Sequence, residues 1–115
     1  MLTPADIDHF KRRIEARRAA LQERIAARER ALAAPDQYDE VTQDRGDDAV
    51  LLEAHEDAWD QLDFAQTALA QAEKALARIA AGTYGSSEVS GKAIPRERLD
   101  ALPTATTLVD EPPPT

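Results

Sequence analysis

Acidic side chains crowd one short stretch of this chain, Asp44-Arg45-Gly46-Asp47-Asp48-Ala49. Carboxylates at Asp44 and Asp47 can accept hydrogen bonds from Arg, Lys or backbone donors, and such charge-assisted bonds are the stronger ones. Ala49 has no long side chain to obstruct a close approach. Asp44, Asp47 and Asp48 also lie at the N-terminus of a predicted helix, where carboxylates cap and complement the dipole, worth ~0.5–2 kcal/mol for a cap. The capping and contact roles are compatible. Little else in the chain suggests chemistry. No nucleophile sits with a base, no glycine loop could cradle phosphate, and no catalytic metal set is present, so an enzyme is not expected. His9 and His55 have no metal-ligand spacing. Cysteine is absent, which excludes disulfides and thiolate metal sites and favours an intracellular location.

Two long helices are needed to present those acids. The first starts at Thr3, a capping residue, with Pro4 suited to the first helical position and Asp6 to the positive end of the dipole. Ile7, Ile14, Leu21, Ile25 and Leu32 form its apolar stripe, which Phe10 widens; this spacing belongs to a helix packed on another helix. Pro35 stops it after Ala33-Ala34. A polar connection runs from Pro35 to Gly46. The second helix begins near Asp47, and its seam has two interleaved series. Leu51, Ala58, Ala65, Ala72 and Ile79 form one; His55, Leu62, Leu69 and Leu76 form the other. Gly82 can supply the left-handed residue that ends this helix. The fold class is therefore mainly α: a long antiparallel two-helix coiled-coil hairpin, its arms roughly 45–50 Å long at about 1.5 Å per residue. Residues 1–81 form the hairpin, with its tip at about 35–49. Residues 82–111 form a small lobe, and 112–115 a tail. A short helix is expected over Pro95 to Ala101. Tyr84, Val89, Ile94, Leu99, Leu102, Leu108 and Val109 are the lobe's candidate core, and parts of helix 1 are placed to share it.

At 115 residues the chain has room for one domain. Its net charge of −8 argues against direct nucleic-acid binding. The charge is uneven: +3 over residues 1–34, −10 over 35–63 and −1 over 64–115. No run is long and apolar enough to span a bilayer, and Met1-Leu2-Thr3-Pro4-Ala5-Asp6 lacks the basic and apolar regions of a signal peptide. A cytoplasmic, monomeric protein with no membrane partner is expected.

The stretch from Gly82 to Asp110 adds a family resemblance. Its framework is Tyr84-Gly85, Gly91, Ile94, Arg98-Leu99 and Pro103-Thr104-Ala105. It is similar to the C-terminal lobe of the DksA/TraR family, bacterial regulators that bind RNA polymerase. There a Tyr-Gly-x-Cys-x-x-Cys-Gly knuckle precedes an Ile, an Arg-Leu pair, a Pro-Thr-Ala and a second Cys-x-x-Cys. Asp44, Asp47 and Ala49 match the Asp-x-x-Asp-x-Ala pattern at the coiled-coil tip of the same family. Two matches in one frame are far more specific than either alone.

The resemblance implies a transcription regulator, bacterial in origin, whose partner is RNA polymerase. Its coiled coil would enter the polymerase secondary channel, with Asp44 and Asp47 as polar contacts and Ala49 as the steric allowance. It also implies zinc, and the four ligand positions carry Ser87, Ser90, Leu108 and Glu111. Protonated hydroxyls bind zinc poorly and Leu108 cannot ligate, so no zinc and no other cofactor is expected. In their place, apolar packing is expected to hold this zinc-finger-like lobe.

Some DksA-like proteins also help bind guanosine tetraphosphate through basic residues. Here Leu102 and Pro112 stand where basic residues are expected, and Asp60 to Ala72 holds no cation, so a weak alarmone response is expected. Two other classes stay open. One is a Gre-like transcript-cleavage factor whose tip acids hold the polymerase's magnesium. The other is a generic helical-hairpin adaptor that binds some other protein through its acidic segment.

Overall fold

The computed structural model describes the backbone at residues 2–33 and 45–112, and side chains at 2–33 and 57–112. Three helices follow in order: α1 (Pro4–Ala33), α2 (Arg45–Ala81) and α3 (Arg96–Ala101). Helix α2 thus begins at Arg45, two residues before the expected start. Among the described residues the extended pairing is one antiparallel bridge, Ser86 with Ala93.

The start of α1 is a reciprocal capping box. Thr3 Oγ1 accepts from the Asp6 amide at 3.1 Å, and Asp6 Oδ2 accepts from the Thr3 amide at 3.0 Å. Two N–H groups that the first turn leaves orphaned are thereby satisfied. Helix α2 ends at Gly82, whose φ is +79°. The Thr83 and Tyr84 amides fold back onto the Arg78 carbonyl at 2.9 and 3.2 Å. A residue with a Cβ would be strained at Gly82, which is why glycine suits this stop. Pro95 is the N-cap of α3 and not its first helical residue, and the Arg98 and Leu99 amides donate to its carbonyl.

The chain divides into two compact units. The first combines residues 1–19 with 70–115, and its core joins Phe10 and Ile14 of α1, Ala72 and Ala75 of α2, and Tyr84, Ile94, Leu99 and Ala105 of the lobe. Phe10, Ile14 and Leu99 are the largest fully buried side chains. Phe10 is the centre of this core, where the sequence made it a widening of the stripe. Tyr84 packs on it at 6.2 Å between ring centroids, and the Arg96 guanidinium sits 5.8 Å from its centroid, close enough for a cation–π attraction.

The second unit, residues 20–69, buries Leu21 and Ile25 of α1 against Leu62, Ala65 and Ala68 of α2. The first unit joins early residues of α1 to late residues of α2, and the second joins later residues of α1 to earlier residues of α2. The helices therefore run antiparallel as a hairpin. Ala68 and Ala75 were absent from the expected seam. Their burial widens it beyond a strict two-position stripe, and small side chains there let the two backbones approach. Trp59 and Phe64 are 52% and 70% exposed. Among the described residues no helix is long and apolar enough to cross a membrane.

Candidate functional site

Two regions carry the candidate site residues. Of the residues expected at the hairpin tip, Asp44 lies outside the described residues. Asp47 and Ala49 fall in the first turns of α2, and their side chains lie outside the described ones. The side chains of Leu51 and His55 do too.

The lobe is described throughout. Two turns face each other in it: Ser87-Glu88-Val89-Ser90 and Leu108-Val109-Asp110-Glu111. The first is closed by backbone bonds from the Ser87 amide to the Lys92 carbonyl (2.8 Å) and from the Gly91 amide to the Ser87 carbonyl (3.0 Å). Gly91, with φ of +74°, supplies the left-handed residue that this closure needs. Buried Ser87 accepts at Oγ from the Val89 and Ser90 amides at 3.1 and 3.2 Å. It donates the hydroxyl proton to Glu111 Oε1 at 2.5 Å, and that same oxygen accepts the Leu108 amide at 2.7 Å. Hydrogen bonds from Ser87, then from Ser90 and the Leu108 amide, hold the Glu111 carboxyl below its usual range. Ser87, Ser90, Leu108 and Glu111 therefore do come together, as the family pattern implies, but through oxygen and amide groups. Among the described residues no group of three or more His, Cys, Asp and Glu side chains is placed to hold a metal ion.

Further ties join the lobe to its surroundings within the first unit. The Glu88 amide donates to the Thr106 carbonyl at 2.8 Å, and Lys74 pairs with the Glu88 carboxylate at 2.6 Å. The Lys74 hydrogen bond is the first cause that lowers the Glu88 pKa. Arg78 donates to the Thr83 carbonyl at 2.9 Å and also to that of Ser86. Arg96 pairs with Asp6, a residue of the α1 capping box. Tyr84 donates its hydroxyl to the Pro103 carbonyl at 2.6 Å, and burial pushes its pKa up to about 12. An added Cβ at Gly85, where φ is +88°, would meet Leu2 at 2.7 Å. Tyr84-Gly85 thus serves both the core and a close approach of the N-terminal segment.

The expected apolar core of the lobe is corrected in part. Tyr84, Ile94 and Leu99 are buried and Leu108 is half-buried against them, but Val89 is 48%, Leu102 47% and Val109 79% exposed. Val89 and Val109 occupy the middle of their four-residue turns, and Leu102 is the C-cap of α3. Ala105 fills the core instead.

A separate hollow in this unit is lined by Gln71, Lys74, Arg98, Leu102 and residues 104–107. Its two cations are engaged: Lys74 with Glu88, and Arg98 with the Thr107 carbonyl at 2.7 Å.

The chain is similar to a solved structure, that of the transcription factor DksA2 from Pseudomonas aeruginosa. The two are 29% identical, with a TM-score of 0.77 over 93% of this chain and 80% of the other. A shorter likeness, 66% identity over 38 residues, joins it to the uncharacterized protein YteA of Bacillus subtilis strain 168. That match spans 33% of this chain and only 16% of YteA. No family model matches the chain. The antiparallel hairpin, the Tyr84-Gly85 to Ala105 framework folded as one lobe, and the likeness to DksA2 agree: the chain has a DksA-like fold and contains no cysteine.

Proposed function

We propose that this protein is a transcription regulator that binds RNA polymerase, with the hairpin tip entering the secondary channel. The likeness to DksA2 across 93% of the chain carries the reading, and the Asp44, Asp47, Ala49 motif gives it residues. Asp44 and Asp47 accept hydrogen bonds from polymerase donors, and Ala49 permits close approach. The protein modulates initiation without chemistry of its own, acts as a monomer in the bacterial cytoplasm, and needs no direct contact with nucleic acid. The alarmone response is weak. In the hollow beside Lys74 and Arg98 both cations already have partners, and Leu102 adds none.

The test uses purified chain and polymerase in two assays, retention of the chain on polymerase and open-complex lifetime at a sensitive promoter. The wild-type chain changes the lifetime. Asp47→Asn retains binding but loses most of that effect, because the contact is lost while the helices remain. An adaptor for some other protein would show no retention on polymerase. A Gre-like factor would stimulate cleavage of backtracked transcripts. Either result overturns the reading.

A further inference from the structure

The family pattern calls for four zinc ligands at 87, 90, 108 and 111, and the groups present do not fit a structural zinc. Zinc gathers thiolates or imidazoles, whereas these positions offer two hydroxyls, an alkyl chain and one carboxylate. Their oxygens are also committed. Ser87 Oγ accepts two backbone amides and donates to Glu111, and Glu111 Oε1 accepts both the Ser87 hydroxyl and the Leu108 amide.

We propose that the Glu111 carboxylate has taken over the cross-linking task of the metal. In a zinc knuckle one cation draws four electron-rich ligands to itself. Here the polarity is inverted: one anion draws donors from both turns. An ionised carboxylate has about four lone-pair sites, and its hydrogen bonds are of the stronger, charge-assisted kind. The Ser87 hydroxyl reaches it from the first turn, and the Leu108 amide from the second. Ser87 is the hinge of the arrangement. Its buried oxygen orders its own turn through the Val89 and Ser90 amides and passes its proton outward to the clasp. Packing alone does not close these turns, since Val89 and Val109 face solvent. Beside the clasp, the Glu88 amide adds a backbone bond to Thr106. The lobe therefore closes without a cation, and it contains no thiol for an oxidant to attack.

The clasp stands apart from polymerase binding and is tested on the whole chain without a partner. Chain purified from zinc-supplemented cells should carry far less than one equivalent of zinc, and melt at one temperature with or without EDTA. Ser87→Ala should lower that temperature by about 4–8 °C, as expected for the loss of a buried hydrogen-bonding group in a small domain. Glu111→Ala should lower it as well, and Glu111→Gln, which keeps an acceptor oxygen, should lower it less. The Ser87→Ala/Glu111→Ala double variant should melt no lower than the worse single one, because both remove the same link. Additive single effects, stoichiometric zinc, or destabilisation by EDTA would overturn the proposal. If a variant fails to fold, wild-type amide exchange in EDTA decides. Protection at Val89, Ser90 and Leu108 sustains the clasp, and exchange at open-chain rates rejects it.

Discussion

The two units of this chain are built from the same two helices and stabilised in different ways. Residues 1–19 with 70–115 bury large side chains, Phe10, Ile14, Tyr84, Ile94 and Leu99, and add polar ties that join distant parts of the sequence. Arg96 reaches Asp6, Arg13 reaches the Asp100 carbonyl at 3.1 Å, and Glu111 reaches Ser87. Among the described residues of 20–69 the buried cluster is one seam, in which Leu21, Ile25 and Leu62 meet the small Ala65 and Ala68. A lone helix pair buries one stripe per helix and leaves aromatics such as Phe64 at the surface. The proposed clasp between Ser87 and Glu111 thus lies in the unit where a third segment of chain folds over the helix pair.

Substitutions that break this contrast should differ in size. Phe10→Ala removes the ring shared by α1, Tyr84 and Arg96, and should cost ~3–5 kcal/mol in a denaturant melt. Leu62→Ala, in the single-seam unit, should cost about 2 kcal/mol, at the lower end for a buried leucine, because one seam surrounds it with fewer neighbours. If the second cost were equal or larger, the two units would be stabilised alike.

The pH dependence sharpens the same point, because the shifted groups named here all lie in the first unit. Burial raises the Tyr84 pKa to about 12, so the folded state favours the neutral phenol. That contribution is complete below pH ~10, the unfolded value, and fades as pH rises through the folded value of about 12. On the acid side Asp6 and Glu88 have lowered values. The leading causes are the Thr3 backbone amide for Asp6 and Lys74 for Glu88. Their contribution is present above pH ~4 and is lost as pH falls through the folded values. Melting temperature against pH should decline at both ends, and Tyr84→Phe should flatten the alkaline limb. The smallest effect is expected at the exposed Asp8–Arg12 pair, 3.1 Å apart on successive turns of α1. Arg12→Ala should change stability by no more than ~0.5 kcal/mol.

Much of the fold was legible because it follows local rules. Thr3-Pro4 marks the start of α1, Gly82 the end of α2, and the 3–4 spacing of Leu62, Ala65, Leu69, Ala72 and Leu76 the seam. The lobe was legible through its Tyr84-Gly85 and Pro103-Thr104-Ala105 framework more than through its apolar content. Hydrophobicity alone misplaced Val89, Leu102 and Val109, since a side chain at the middle of a tight turn or at a helix cap points outward whatever its polarity. The pairing of Arg96 with Asp6 spans ninety positions, and no local pattern announces it. The clasp was hidden for another reason. Ser87 and Glu111 look like lost ligands until their hydrogen bonds are seen, and the sequence pointed to apolar packing in their place.

The central claim concerns the hairpin tip. A photo-crosslinker at position 47 of the whole chain, incubated with core RNA polymerase, tests it most directly. Mapped contacts inside the secondary channel are the predicted result. Crosslinks confined to the outer surface of the enzyme, or none at all under conditions where the chain is folded, would contradict it.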